Sequence, residues 1–246
     1  MAVFYTEGTR DTSYREASVD EVFPFLRESG HIVSVVGAGG KSSLIDCLAS
    51  FAQKQGRCVL VSTTTHIFQP PARQYAKRQS DLERIWKEGR YAVIGAPAPR
   101  GRLGMPETDW LWEAASMADL VFLEADGSRQ LPAKVPAAHE PVLLPQSDLL
   151  IGVQGLRAAG GQIRDVCLRA ETACGLLGKL PDMPMTKEDL AWILASVNGC
   201  RKQAGNRLYY AVLNQCDTER DRQAALCVMR QLKEAGIENR LFSCLR

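Results

Sequence analysis

Ser34-Val35-Val36-Gly37-Ala38-Gly39-Gly40-Lys41-Ser42-Ser43 brings an apolar run, glycines, a lysine and hydroxyls together at a spacing that suits polyphosphate. Glycines let successive backbone N–H groups turn inward without Cβ clashes, and a helix opening at the lysine adds the positive end of its dipole. Lys41 supplies a point charge, and the Ser42 hydroxyl is of the type that ligates a phosphate-bound Mg²⁺. The loop is shorter than a full Walker A, whose first glycine falls on Val35. Its form is Gly-x-x-Gly-Lys-Ser-Ser. The candidate nucleotide-binding residues are therefore Gly37, Ala38, Gly39, Gly40, Lys41, Ser42 and Ser43. A glycine turn before a capped helix with a solvated lysine is the structural alternative.

Leu123-Glu124-Ala125-Asp126-Gly127 ends a strongly apolar stretch. Side chains alternate along a strand, so Glu124 and Asp126 are expected on one side at its carboxyl end, one holding a metal and the other activating water. Lys41, Glu124 and Asp126 are the candidate catalytic residues, and Ser42, Glu124 and Asp126 the candidate metal ligands. Ser62-Thr63-Thr64-Thr65-His66 places hydroxyls at the end of another strand, making Thr64, Thr65 and His66 candidate phosphate or substrate contacts. Threonine is also simply common in strands. Arg129 and Lys134, near His139-Glu140-Pro141, are candidate contacts for a phosphorylated or carboxylated ligand. Asn214-Gln215-Cys216-Asp217 has the Asn-x-x-Asp spacing that reads a guanine base, with Gln215 where the usual lysine would stand. Asp217 as an ordinary helix cap is the other reading.

The elements that must position these groups alternate. Strands are expected at His31–Val36, Cys58–Ser62, Tyr91–Ile94, Asp119–Glu124, Leu149–Val153, Leu208–Leu213 and Leu241–Cys244. Helices are expected at Ser42–Gln55, Leu82–Glu88, Thr108–Met117, Ala170–Leu177, Thr186–Val197 and Arg220–Ala235. The strand runs are continuously apolar, as in strands buried on both faces. The pattern predicts an α/β fold, P-loop NTPase-like, with a doubly wound, mostly parallel sheet flanked by helices and the ligand at the strands' carboxyl ends. Residues 1–246 are expected to form one P-loop α/β domain. Residues 1–30 would be a helical lead-in, with Ser18 and Glu21 as a capping box, and residues 155–200 a helical insertion. Gly95–Pro106, rich in glycine and proline, reads as irregular loop.

The 246 residues are 46% hydrophobic, enough for a full core. Thirty basic against 28 acidic residues leave a net charge of +2, which offers no polyanion-binding surface, so no nucleic-acid partner is expected. Apolar runs stay short of the ~18 residues that span a bilayer, and Met1–Thr12 is unlike a signal peptide. The expectation is a cytoplasmic protein without a membrane partner. Cys47, Cys58, Cys167, Cys174, Cys200, Cys216, Cys227 and Cys244 are dispersed, with no Cys-x-x-Cys pair, against a zinc site or disulfide framework. Cys216 alone lies inside a candidate site.

Gly37-Ala-Gly-Gly-Lys-Ser-Ser43, Ser62-Thr-Thr-Thr-His-Ile67, Glu124-Ala-Asp-Gly-Ser-Arg129, Lys134 with His139-Glu-Pro-Val142, and Asn214-Gln-Cys-Asp217 follow one another in an order that resembles the YqeC family, accessory proteins for selenium-dependent molybdenum hydroxylases. The resemblance runs from about Ile32 to Asp217. It implies that Gly37–Ser43 bind nucleotide phosphates, that Glu124 and Asp126 belong to an acidic metal motif, and that Asn214 and Asp217 address a base. It further implies a role in maturing a molybdenum hydroxylase or its molybdopterin-type cofactor. The expected ligands are Mg²⁺ with ATP or GTP, since Gln215 leaves the base open. A Mg²⁺-dependent NTPase is the first reading. An ATP-dependent small-molecule kinase or ligase and a non-hydrolysing, nucleotide-switched binding module are the alternatives.

Overall fold

The structure, a computed structural model, describes residues 2–8 and 13–245. In chain order its strands are Val3–Glu7 (β1), Tyr14–Ala17 (β2), His31–Gly37 (β3), Val59–Thr63 (β4), His66–Phe68 (β5), Ala92–Val93 (β6) and Ala96–Ala98 (β7). There follow Arg102–Gly104 (β8), Leu120–Glu124 (β9), Ala133–Lys134 (β10), Leu149–Gly155 (β11), Cys167–Leu168 (β12), Leu208–Asn214 (β13) and Asn239–Cys244 (β14). The α-helices are Val19–Val22 (α1), Lys41–Lys54 (α2), Gln79–Lys87 (α3), Thr108–Ser116 (α4), Ile163–Val166 (α5), Ala170–Leu177 (α6), Lys187–Ala195 (α7) and Glu219–Glu234 (α8).

Nine strands form the main sheet in the order β2-β1-β14-β13-β11-β3-β9-β4-β6. From β14 to β6 every pairing is parallel, and only β1 runs antiparallel to its neighbours. The continuous apolar runs have the expected cause. Along β9, Leu120 and Phe122 join the core on one face while Val121 and Leu123 join a core on the other. The α2 residues Leu44, Ile45, Leu48, Ala49 and Ala52 fall on one helical stripe and cover the first face. The second face is covered by α7 and α8 over one half and by α3 and α4 over the other. The result is a mostly parallel α/β sheet flanked by helices.

After β3 the chain goes out to β4 and β6, returns to β9 beside β3, and then crosses to β11, β13 and β14 on the other side. The order reverses at β3, which opens a crevice at its carboxyl end. In that row Val35 pairs with Glu124, Glu124 with Thr63, Gly37 with Val153, and Gly155 with Asn214. The fold thus gathers segments that lie far apart in sequence.

Two segments differ from the sequence expectation. The described residues of 1–30 do not form a helical lead-in: β1 and β2 close the sheet edge, and helix among those residues is confined to the single turn of α1 and the 3₁₀ turn Pro24–Arg27. The aromatic run Val3-Phe4-Tyr5 is the β signal. Phe4 meets Phe23 edge-on at 5.6 Å, and Tyr5 stacks on Phe242 at 5.1 Å. Ser18 makes no side-chain cap, and Glu21 pairs with Arg15. Gly95–Pro106 is not irregular either, since β7 and β8 form a hairpin on β5, anchored by buried Leu103. Residues 155–200 carry α5, α6 and α7, and Thr186 and Asp189 form the reciprocal cap of α7. Among the described residues no helix is long and apolar enough to cross a membrane.

Candidate functional site

β3 ends at Gly37 and α2 begins at Lys41, so the glycine stretch is the turn between them. Gly37, Gly39 and Gly40 have φ of 97°, 75° and 122°, a region L side chains rarely enter. A Cβ on Gly39 would stand 2.3 Å from Gly155 N and 2.5 Å from Gly155 Cα, so only glycine lets the turn lie on the end of β11. Asn214 braces the turn from β13: its Nδ2 donates to the Gly39 carbonyl at 2.8 Å, and its Oδ1 accepts the Ser243 hydroxyl at 3.0 Å.

The loop's N–H groups divide into two sets. Gly37 N–H donates to both Asp126 oxygens at 3.0 Å, Ala38 N–H to the Val153 carbonyl at 2.8 Å, and Gly39 N–H to the Leu131 carbonyl at 3.2 Å. The first helical bond runs from Leu44 N–H to the Gly40 carbonyl at 3.0 Å. The N–H groups of residues 40–43 therefore stand ahead of the α2 ladder as its N-terminal donors. Ser42 and Ser43 are exposed there.

Lys41 is buried and folds back over this turn. Its Nζ donates to the Gly37 carbonyl at 2.6 Å, lies 3.2 Å from Asp126 Oδ1 and reaches within 3.9 Å of Glu124 Oε1. The Ser42 hydroxyl donates to Glu124 Oε2 at 2.8 Å. Burial, opposed by Lys41 and Ser42, pushes the Glu124 carboxyl above the ordinary glutamate value. Asp126 is the deeper of the two acids, 2% exposed, with its oxygens shared among Gly37 N–H, Lys41 and Lys134. Asp126 thus shapes the loop, whereas Glu124 faces the opening with Ser42. That pair supplies hard oxygen donors of the type that hold Mg²⁺.

Lys134, expected among the ligand contacts, is instead 1% exposed: its Nζ lies 2.9 Å from Asp126 Oδ2 and 2.9 Å from Glu140 Oε2, and donates to the Gly127 carbonyl at 2.7 Å. Gln154 fixes the Lys134 backbone through two 3.0 Å bonds. Glu140 also receives Arg169 at 2.9 Å. Burial would raise its pKa, but the Ala137 N–H, Lys134 and Arg169 together hold it below the ordinary value. Thr64 is likewise inward, donating to the Val142 carbonyl at 2.8 Å. Thr65, His66 and Arg129 do line the cleft beside Ser42 and Glu124, a cavity of about 310 Å³.

Asp217 follows β13 but does not cap α8; Thr218 does, in a reciprocal box with Asp221. The Asp217 carboxylate instead accepts Arg157 Nη2 at 2.7 Å and Nε at 3.2 Å, and the Cys244 thiol at 3.2 Å. Cys216 is fully buried, and desolvation raises its thiol pKa far above the ordinary value, so it packs as a small hydrophobe. All eight cysteines are free, and no group of three or more His, Cys, Asp or Glu is placed to hold a metal among the described residues. Arg102, Arg157 and Arg169 were not singled out by the sequence. Each comes from a segment without periodic pattern and joins the site only through the fold.

Two comparisons bear on this arrangement. A family model described as YqeC protein matches residues 33–171, over half of the chain, a span that holds the phosphate-type loop, Glu124, Asp126 and Arg129 but ends before Asn214. "Uncharacterized protein YqeC" of Escherichia coli (strain K12) is 30% identical over 187 residues, covering 70% of this chain and 70% of that protein. By both measures the chain belongs to the YqeC family.

Proposed function

We propose that this protein is a Mg²⁺-dependent nucleoside triphosphatase with a P-loop-like site at Gly37–Ser43, acting in the maturation of a selenium-dependent molybdenum hydroxylase or its cofactor, the process the family resemblance implies. The observation that carries the reading is the junction of β3 and α2. Four backbone N–H groups precede the α2 ladder, Lys41 lies between Asp126 and Glu124, and Ser42 is bonded to Glu124, all at the point where strand order reverses.

The residues divide the work. Backbone donors at 40–43 hold phosphate oxygens, and Lys41 exchanges its Gly37 and Asp126 contacts for phosphoryl oxygens whose charge grows in the transition state. Ser42 and Glu124 would hold the metal, which would supply positive charge to the phosphate when bound. Glu124 would also orient the attacking water. Asp126 and Asn214 act through the loop, fixing Gly37 and Gly39.

The test is calorimetric titration of ATP–Mg²⁺ and GTP–Mg²⁺ into the purified protein and into Lys41→Ala, followed by phosphate release in the same samples. Saturable binding and turnover that Lys41→Ala abolishes are expected, and the tighter nucleotide identifies the base. Unchanged hydrolysis in Lys41→Ala refutes the assignment.

A further inference from the structure

The cleft beside the phosphate-type loop carries more positive charge than its own carboxylates use. Arg102, Arg129 and Arg169 line it together with Ser42 and Glu124. Glu140 is already met by Lys134 and Arg169, and Glu124 by Ser42 and Lys41. Arg129 is exposed and makes no hydrogen bond or ion pair among the described residues. The Arg102 guanidinium lies 4.7 Å over the exposed Phe68 ring, with no carboxylate partner among those residues. Arg169 keeps a buried Nε–H with no acceptor. A concave, partly enclosed site with two arginines, Arg102 and Arg129, that no carboxylate meets among the described residues concentrates anions. Its backbone is also held in an unusual form: Arg129, Gln130 and Arg169, all lining this one cavity, have φ of 50°, 64° and 67°. Such conformations in non-glycine residues gather where side chains must be aimed.

We propose that this cleft binds the anionic group, phosphate or carboxylate, of a small-molecule second substrate. Arg129 and Arg169 hold that group at the mouth they share with Ser42 and Glu124. The proposal rests on the nucleotide reading only for the identity of the first substrate.

Inorganic phosphate and citrate are titrated separately into the protein, free and saturated with a non-hydrolysable nucleoside triphosphate–Mg²⁺, and into Arg129→Gly, Arg129→Lys and Lys41→Ala. Glycine suits the left-handed φ at this exposed position, so Arg129→Gly keeps the fold. Binding of at least one probe to both forms is expected, weakened about tenfold by Arg129→Gly, the scale of one lost charge-assisted hydrogen bond. Arg129→Lys falls between the two. Tighter phosphate marks a phosphorylated substrate and tighter citrate a carboxylated one. Four results overturn the proposal: neither probe binds, Arg129→Gly binds like the parent, the triphosphate displaces the probe, or the probe is lost only in Lys41→Ala. If no nucleotide binds, the proposed function falls, and the Arg129 dependence in the free protein still decides the cleft.

Discussion

Lys134 is a side chain with almost no access to water, and its Nζ is divided between Asp126, Glu140 and the Gly127 carbonyl. Desolvating three charges is costly, and what offsets the cost is that each has a close, oriented partner. Asp126 passes the effect on, because the same carboxylate holds Gly37 N–H and Lys41. Lys134→Met leaves Asp126 and Glu140 short of a cation while adding no acceptor. It is expected to destabilise the protein by about 3–5 kcal/mol, read as a lower urea midpoint at unchanged slope, and to weaken nucleotide–Mg²⁺ binding through the loop. Read from the sequence, Lys134 near Arg129 suggested a ligand contact. That its ammonium turns inward depends on Asp126 and Glu140 arriving from either side of it, which composition and spacing do not encode.

At the scale of elements, the β3–turn–α2 unit works because β11 and β13 press against the turn from the side. Gly39 tests this directly, since a Cβ there meets the Gly155 backbone at 2.3–2.5 Å, whereas at Gly56, with φ of 83° just past α2, it meets nothing within 4 Å. Gly56→Ala pays only the left-handed strain, about 1–2 kcal/mol. Gly39→Ala adds overpacking against backbone that cannot rotate away, for a total of roughly 3–5 kcal/mol. Denaturant melts of the two variants, with nucleotide titration of Gly39→Ala, check the contrast: loss of binding is expected for Gly39→Ala alone. The glycines of this turn were legible in the sequence, since their types and spacing require the turn. The hairpin of β7 and β8 was not, because three-residue strands interrupted by Pro97 carry too little alternation to register. Yet it is this hairpin that delivers Arg102 to the cleft.

For the molecule as a whole, the central strands are clamped at their amino ends by His31. Its Nδ1 lies 2.6 Å from Asp148 Oδ2 and its Nε2 3.2 Å from Glu28 Oε2, while Asp148 Oδ1 accepts Ile32 N–H at 2.8 Å. Burial lowers the imidazole's proton affinity, but Asp148 and Glu28 together outweigh it, so the pKa is raised above 6.5. A raised histidine contributes stability that is complete below the unfolded value and lost as pH rises through the folded one. The parent should therefore lose up to about 1 kcal/mol from this pair between pH 6 and pH 8.5, and His31→Asn should show a smaller difference in Tm across that range. By itself the sequence determined the alternation of strand and helix, the burial of the strands on both faces, the glycine turn and the acidic strand end, because local periodicity and residue type dictate each of these. It also carried the family. Only the tertiary structure decided which acid faces the opening, that Lys134 is interior, that Asp217 is held by Arg157, and that three arginines converge on one cleft. Those outcomes depend on strand order and on side chains brought together from distant segments, and a linear pattern holds no record of either.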